Sequence, residues 1–113
     1  MTDRLANLVA VKTAVEAGVW DHDTVARWLW SQPGRLYGFA HAAFNGSTDA
    51  ALALLAAVLP GWGWQAWSGP AGGYFAAVDE RDPWEAVEHS APTPARALLL
   101  ATLAALIERE GQP

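Results

Sequence analysis

Apolar residues recur at three- and four-residue spacings through the first part of the chain, a pattern typical of amphipathic helices. It predicts one helix at about 3–17, ended by Gly18, and a second helix at about 22–30. The apolar stripe of the first helix consists of Leu5, Leu8, Val9, Val11 and Val15. Segment 35–46 has no clear period, and we interpret it either as an irregular connection or as a short strand.

Two later helices have capping residues in addition to their apolar stripes. Ser47 is a suitable N-cap for a helix at about 48–59, because its hydroxyl can accept a hydrogen bond from a free N–H of the first turn. Thr93 has the same position before a helix at about 94–109. The stripe of this last helix contains Leu99, Leu103 and Leu106.

Three strand-like segments lie between these two helices, at about 62–68, 73–79 and 84–90. Short turns rich in glycine or in charge join them, which favours antiparallel neighbours. The sequence therefore predicts an α+β fold in which a three-stranded antiparallel sheet is sandwiched between helices, in α-β-α layers. A chain of 113 residues fits a single domain, 1–113.

The first strand carries three tryptophans in the run GWGWQAWSG. Because a strand alternates its faces, Trp62 and Trp64 point one way and Trp67 points the other. We expect Trp62 and Trp64 to lie in the core beneath the last two helices, so that Trp64→Ala would cost about 3–5 kcal/mol. We expect the N-terminal helices to cover Trp67; if they do not, it forms an exposed aromatic patch with Gln65 and Tyr74.

Composition argues against several classes of function. The net charge is −5 with only seven Lys and Arg residues, so no nucleic-acid partner is expected. Cysteine is absent, and the three histidines follow no metal-binding spacing, so no metal and no cofactor are expected. No apolar run reaches the length of a bilayer span and the N-terminus has no apolar signal core, which predicts a cytoplasmic protein without membrane contact.

The densest group of charges is acidic and comprises Asp79, Glu80, Asp82 and Glu85. One interpretation is a solvated turn that protects the edge of the sheet from aggregation. The other is a docking surface for a basic protein partner, to which Trp67 would add an aromatic contact. No serine lies in a nucleophile-elbow sequence, so no catalytic residue is predicted.

A second hypothesis is a small enzyme or a small-molecule binder. His41 lies between apolar residues in RLYGFAHAAFNG and is the best isolated candidate for chemistry. This hypothesis requires His41, Trp67 and nearby carboxylates to share a cleft. A hydrogen bond from His41 to the backbone is the simpler interpretation.

Two blocks together resemble a known group of proteins: AFNGSTDAALALLAAVLPGWGWQA at 43–66 and SAPTPARALLLATLAALIERE at 90–110. They are similar to small uncharacterised proteins of alphaproteobacterial phages, prophages and gene-transfer-agent-like elements, with what is called the phage ABA sandwich domain. The resemblance implies a helix–sheet–helix fold and a non-enzymatic accessory protein of the host bacterial cell. Its partner would be a protein, and a host-encoded one if the chain inhibits a host defence system. A self-associating component of a phage-like particle, a homo-oligomer, is the third hypothesis.

Overall fold

The computed structural model describes residues 4–30, 32, 34–81 and 85–111. This part of the chain forms five helices and three strands. In chain order they are α1 (Arg4–Glu16), α2 (His22–Trp28), α3 (Arg35–Phe44), α4 (Thr48–Val58), β1 (Gly63–Ser68), β2 (Tyr74–Asp79), β3 (Val87–Ala91) and α5 (Pro94–Gly111).

Helix α5 is the centre of the fold. It contacts all three strands, and it also contacts α1, α3 and α4. Its side chains are buried on nearly every side, as expected of a helix with packed neighbours all round. No helix in the described ranges is long and apolar enough to cross a membrane. The predicted α+β class is confirmed, with helices packed against a three-stranded antiparallel sheet.

The strands are arranged in the order β1-β2-β3, each antiparallel to its neighbour. Ala76 and Val78 of β2 are fully buried in the core, so their side of the sheet, here called the inner face, is the one that meets α5. Directly opposite residues of antiparallel strands share a face. The outer face therefore carries Phe75, Ala77 and Asp79 of β2 with their neighbours on β1 and β3.

The expectation for Trp64 is wrong, although its predicted face is right. Trp64 pairs with Val78 on the inner face but is 47% exposed. It lies on an edge strand, and α5 contacts β1 less extensively than it contacts β2 and β3. Trp62, just before the strand, packs against the core but is only partly buried, so it is not the core residue that we expected.

The N-terminal helices do not cover Trp67, contrary to expectation. Helix α1 packs mainly on α5 and α2, on the helical side of the molecule. Trp67 on the outer face is 40% exposed. Of the two alternatives for this residue, the exposed aromatic patch is the one observed, although Tyr74 lies on the inner face and is not part of it.

Segment 35–46 is neither an irregular connection nor a strand, because it contains α3. Leu36, Ala40, Ala43 and Phe44 are buried, and their spacing places them on one side of a helix. Contacts with α4 and α5 cover this side. The helix starts after Gly34, which has no side chain to cap it, so the sequence lacks the local start signal that marks α4 and α5.

Thr93 caps α5 as predicted, its hydroxyl oxygen accepting a hydrogen bond from the Arg96 backbone N–H at 3.1 Å. We expect Thr93→Ala to lower the free energy of unfolding by about 1 kcal/mol, measured by urea denaturation. The matched control is Thr13→Ala, at an exposed position inside α1, which should change stability by about 0.5 kcal/mol or less. Equal effects of the two substitutions would contradict a capping role for Thr93.

Candidate protein-binding surface

The outer face of the sheet presents a stacked pair of aromatic rings. Trp67 of β1 is directly opposite Phe75 of β2, with ring centroids 5.8 Å apart and ring planes 12° from parallel. A Cβ atom at position 69 would lie only 2.5 Å from Cε2 of Phe75. Glycine at this position thus leaves room for the Phe75 ring, which supports the exposed indole of Trp67.

Two carboxylates share this face with the aromatic pair. Asp79 is paired with Gly63, and its carboxylate lies against that glycine, 3.2 Å from where a Cβ would be. Glu88 of β3 is exposed and is paired with Ala77. No ladder position on the outer face is Lys or Arg within the described strands. The outer face is therefore apolar at one end and negatively charged elsewhere.

The other predicted acidic residues lie in a different place. Glu80 and Glu85 line an open groove between the sheet and the C-terminal end of α5. Arg81 and Arg109 line the same groove and offset much of its negative charge. Its remaining lining residues include Trp62, Val87, Ala105 and Glu108.

The structure thus divides the predicted binding set into two groups. Asp79 and Trp67 share the outer face, where Gly63, the ladder partner of Asp79, is four residues from Trp67, or about 13 Å along the strand. Glu80 and Glu85 are together in the groove. Asp82 lies outside the described residues.

His41 belongs to an aromatic cluster on the helical side of the molecule. Its ring lies 4.9 Å from that of Trp20 and 6.4 Å from that of Tyr37. The Trp20 indole N–H donates to the Tyr37 hydroxyl at 3.0 Å, and His22 Nδ1 is 2.6 Å from the same hydroxyl. Trp20 also contacts Phe44.

The cleft required by the enzyme hypothesis is not formed by these residues. His41 lies on α3, which packs on α4 and α5, whereas Trp67 points away from α5 on the far side of the sheet. The ring contacts of the two residues have no member in common. Within the described ranges, no group of three or more His, Asp or Glu side chains could hold a metal ion.

Sequence reasoning missed two members of the outer face, Phe75 and Glu88. The signal for both is present, because residues of YFAAVD and VEHSA alternate between the two faces. Applied to all three strands, that alternation places Phe75 and Glu88 beside Trp67 and Asp79. The aromatic cluster has no such signal, because it depends on α3.

Comparisons with protein-family models, with curated proteins and with solved structures find no match to this chain. The resemblance to small phage and prophage proteins therefore stays a prediction.

Proposed function

We propose that this chain is a non-enzymatic protein that binds a basic protein partner on the outer face of its sheet. The observation that carries the proposal is the exposed Trp67 indole, stacked on the partly buried Phe75 ring and on the same face as Asp79 and Glu88, with no cation among the described ladder positions of that face. Exposed tryptophan is enriched at the energetic centres of interfaces.

The chemistry of this face favours arginine on the partner. One arginine of the partner can stack its guanidinium group on the indole ring, and another can pair with a carboxylate through two parallel hydrogen bonds. Trp67 offers the ring, and Asp79 and Glu88 offer the carboxylates. Their negative field would also attract a basic partner before contact, which raises the association rate.

The resemblance at 43–66 and 90–110 supplies the biological part of the proposal. We propose an accessory protein of a phage or prophage, acting in the cytoplasm of the host bacterial cell. A host protein is the partner that fits this setting, and inhibition of a host defence system is the consequence we propose for binding.

Site-specific photo-crosslinking tests where the partner binds. A benzophenone amino acid would replace Ser90, which is exposed on the outer face opposite Phe75, in protein produced in a bacterial host. The control position is Val9 on α1, which is 45% exposed on the helical side. We expect a discrete adduct with a basic protein from position 90 alone. Adducts from position 9 alone, or the same adducts from both, would contradict binding on the outer face.

Association kinetics with the captured protein test the role of charge. Asp79→Asn combined with Glu88→Gln should slow association about three- to tenfold at low salt, because steering depends on these carboxylates. The matched control neutralises two exposed acids on the helical side, Asp23→Asn with Asp49→Asn, and should leave the rate nearly unchanged. The difference should shrink at high salt, where the Debye length falls below about 10 Å. Equal rates for both double variants would contradict the proposal.

A further inference from the structure

Strand β1 is an edge strand that lacks the usual protection of such strands within the described part of the chain. Its six residues, GWQAWS, are uncharged and all exposed. Trp64 on the inner face and Trp67 on the outer face are its exposed large side chains. Edge strands are normally blunted by a charge, a proline or a covering segment, because their free backbone groups pair with other strands. Within the described residues, β1 pairs with β2 alone.

The backbone groups that face away from β2 can be identified from the hairpin. The Gly69 N–H donates to the Gly73 carbonyl at 2.8 Å, and this pair continues the register of β1 with β2. Groups directed at a neighbouring strand alternate along an antiparallel ladder. Residues 63, 65 and 67 therefore direct their N–H and C=O towards β2, whereas Trp64, Ala66 and Ser68 direct theirs outward.

We propose that two copies of this chain pair through β1, antiparallel and about a two-fold axis at Gln65, to form one six-stranded sheet. In this register Trp64 of each copy is opposite Ala66 of the second copy. Trp67 of each copy is opposite Gly63 of the second copy. Every tryptophan thus faces a small residue, and Gln65 faces its own equivalent.

The outward backbone groups fit the same register. Trp64 and Ala66 would form hydrogen-bonded pairs with Ala66 and Trp64 of the second copy. Because the two-fold axis is perpendicular to the sheet, both inner faces lie on the same side. The two α5 helices would then lie on one side of the extended sheet, and the two outer faces would join on the other.

Charge and area both permit this contact. Each chain carries a net charge of −5, but residues 63–68 are uncharged, so no like charges meet at the seam. The exposed parts of Trp64 and Trp67 that face the second strand would be buried, while the side of each Trp67 ring that faces away from the sheet stays open to a partner. One pair of six-residue strands buries less than the roughly 1,200 Å² of stable specific interfaces, which predicts a weak and reversible dimer.

The opposite edge of the sheet does not offer an equivalent surface. Strand β3 carries Glu88, and His89 Nε2 lies 3.7 Å from a Glu16 carboxylate oxygen of α1. The two-fold contact uses β1 of both copies and leaves β3 at both ends of the extended sheet. Growth through these ends would bring Glu88 of two copies to one seam, so the contact closes as a dimer and does not propagate as a fibre.

Sedimentation equilibrium from about 1 to 300 µM tests the dimer, and we expect the dimer fraction to rise through this range. Ala66→Pro removes an outward N–H while leaving the bonds to β2 in place, which edge strands tolerate. This variant should weaken the dimer at least tenfold while keeping the wild-type circular dichroism spectrum. A monomer at all concentrations, or larger oligomers, would overturn the proposal.

Engineered cysteines test the register, and they remain informative even if Ala66→Pro fails to fold. The natural chain has no cysteine, so each variant has a single thiol. Gln65→Cys places two thiols across a non-hydrogen-bonded pair, with Cα atoms about 4.5 Å apart and within disulfide reach. We expect Gln65→Cys to form a dimer under mild oxidation and the control Ala66→Cys to remain largely monomeric. Preferential crosslinking of Ala66→Cys, or no crosslink in either variant, would overturn this register.

Discussion

Leu103→Ala is expected to lower the free energy of unfolding by about 3–4 kcal/mol, through the cavity that it leaves in the core. Leu103 is completely buried in the middle of α5. Because α5 is enclosed by the sheet and by other helices, the surrounding side chains cannot easily collapse into the cavity. Urea denaturation followed by tryptophan fluorescence measures the effect.

Trp64→Ala is the control for this prediction, although tryptophan is the larger side chain. Trp64 is nearly half exposed, so its replacement should cost only about 1–2 kcal/mol. Both variants should be measured at dilute concentration, where pairing through β1 is negligible. If Trp64→Ala proved more damaging than Leu103→Ala, the tryptophan would be covered in solution and the core would be centred elsewhere.

Features that depend on neighbouring residues could be predicted from the sequence. Ser47 and Thr93 accept hydrogen bonds from N–H groups only three residues away, so the starts of α4 and α5 are encoded locally. Gly18 follows α1 with a φ of 75°, a conformation that favours glycine. These signals are independent of the rest of the fold.

Helix α3 could not be predicted in the same way. It has no side-chain cap at its start, and Gly38 inside it weakens the local preference for a helix. Its stability comes from burying Leu36, Ala40 and Phe44 in contacts with α4 and α5. Such tertiary contacts override propensity and leave only a weak trace in a single sequence.

The tryptophans show what alternation predicts and what it omits. It predicts the correct relative faces of Trp64 and Trp67, because neighbouring residues of a strand point to opposite sides. It does not predict how far α5 extends over the edge strand, which depends on the packing of whole elements. Alternation alone therefore assigns Trp64 to the core, although nearly half of this side chain is exposed beside the helix.

The same alternation explains why the acidic cluster does not stay together. Asp79 is the last residue of β2 and points to the outer face, whereas Glu80, which follows the strand, lines the groove. A net charge counted along the sequence is not the charge of a surface. The outer face instead combines Asp79 with Glu88 from another strand.

Arg96→Ala is the second substitution with a large expected effect, about 2–3 kcal/mol. In the natural chain, Nη2 of Arg96 donates a hydrogen bond to the carbonyl oxygen of Phe44 at 3.0 Å. This carbonyl lies at the end of α3, where carbonyl groups lack helical partners. The guanidinium carbon of Arg96 also lies 4.2 Å from the centre of the Phe44 ring. Loss of a charged hydrogen bond and of a cation–π contact accounts for the magnitude.

Arg96→Lys separates the effect of the positive charge from the effect of the guanidinium geometry. The lysine ammonium group keeps the charge but lacks the planar set of N–H donors of a guanidinium group. The substitution also removes Nε, which is buried without a hydrogen-bond partner among the described residues, so part of the loss should be regained. We expect Arg96→Lys to cost about 1 kcal/mol and the control Arg109→Ala, in the exposed last turn of α5, about 0.5 kcal/mol or less. Urea denaturation ranks all three. If Arg96→Ala were no worse than Arg109→Ala, the contact with Phe44 would not be what holds the end of α3 against α5.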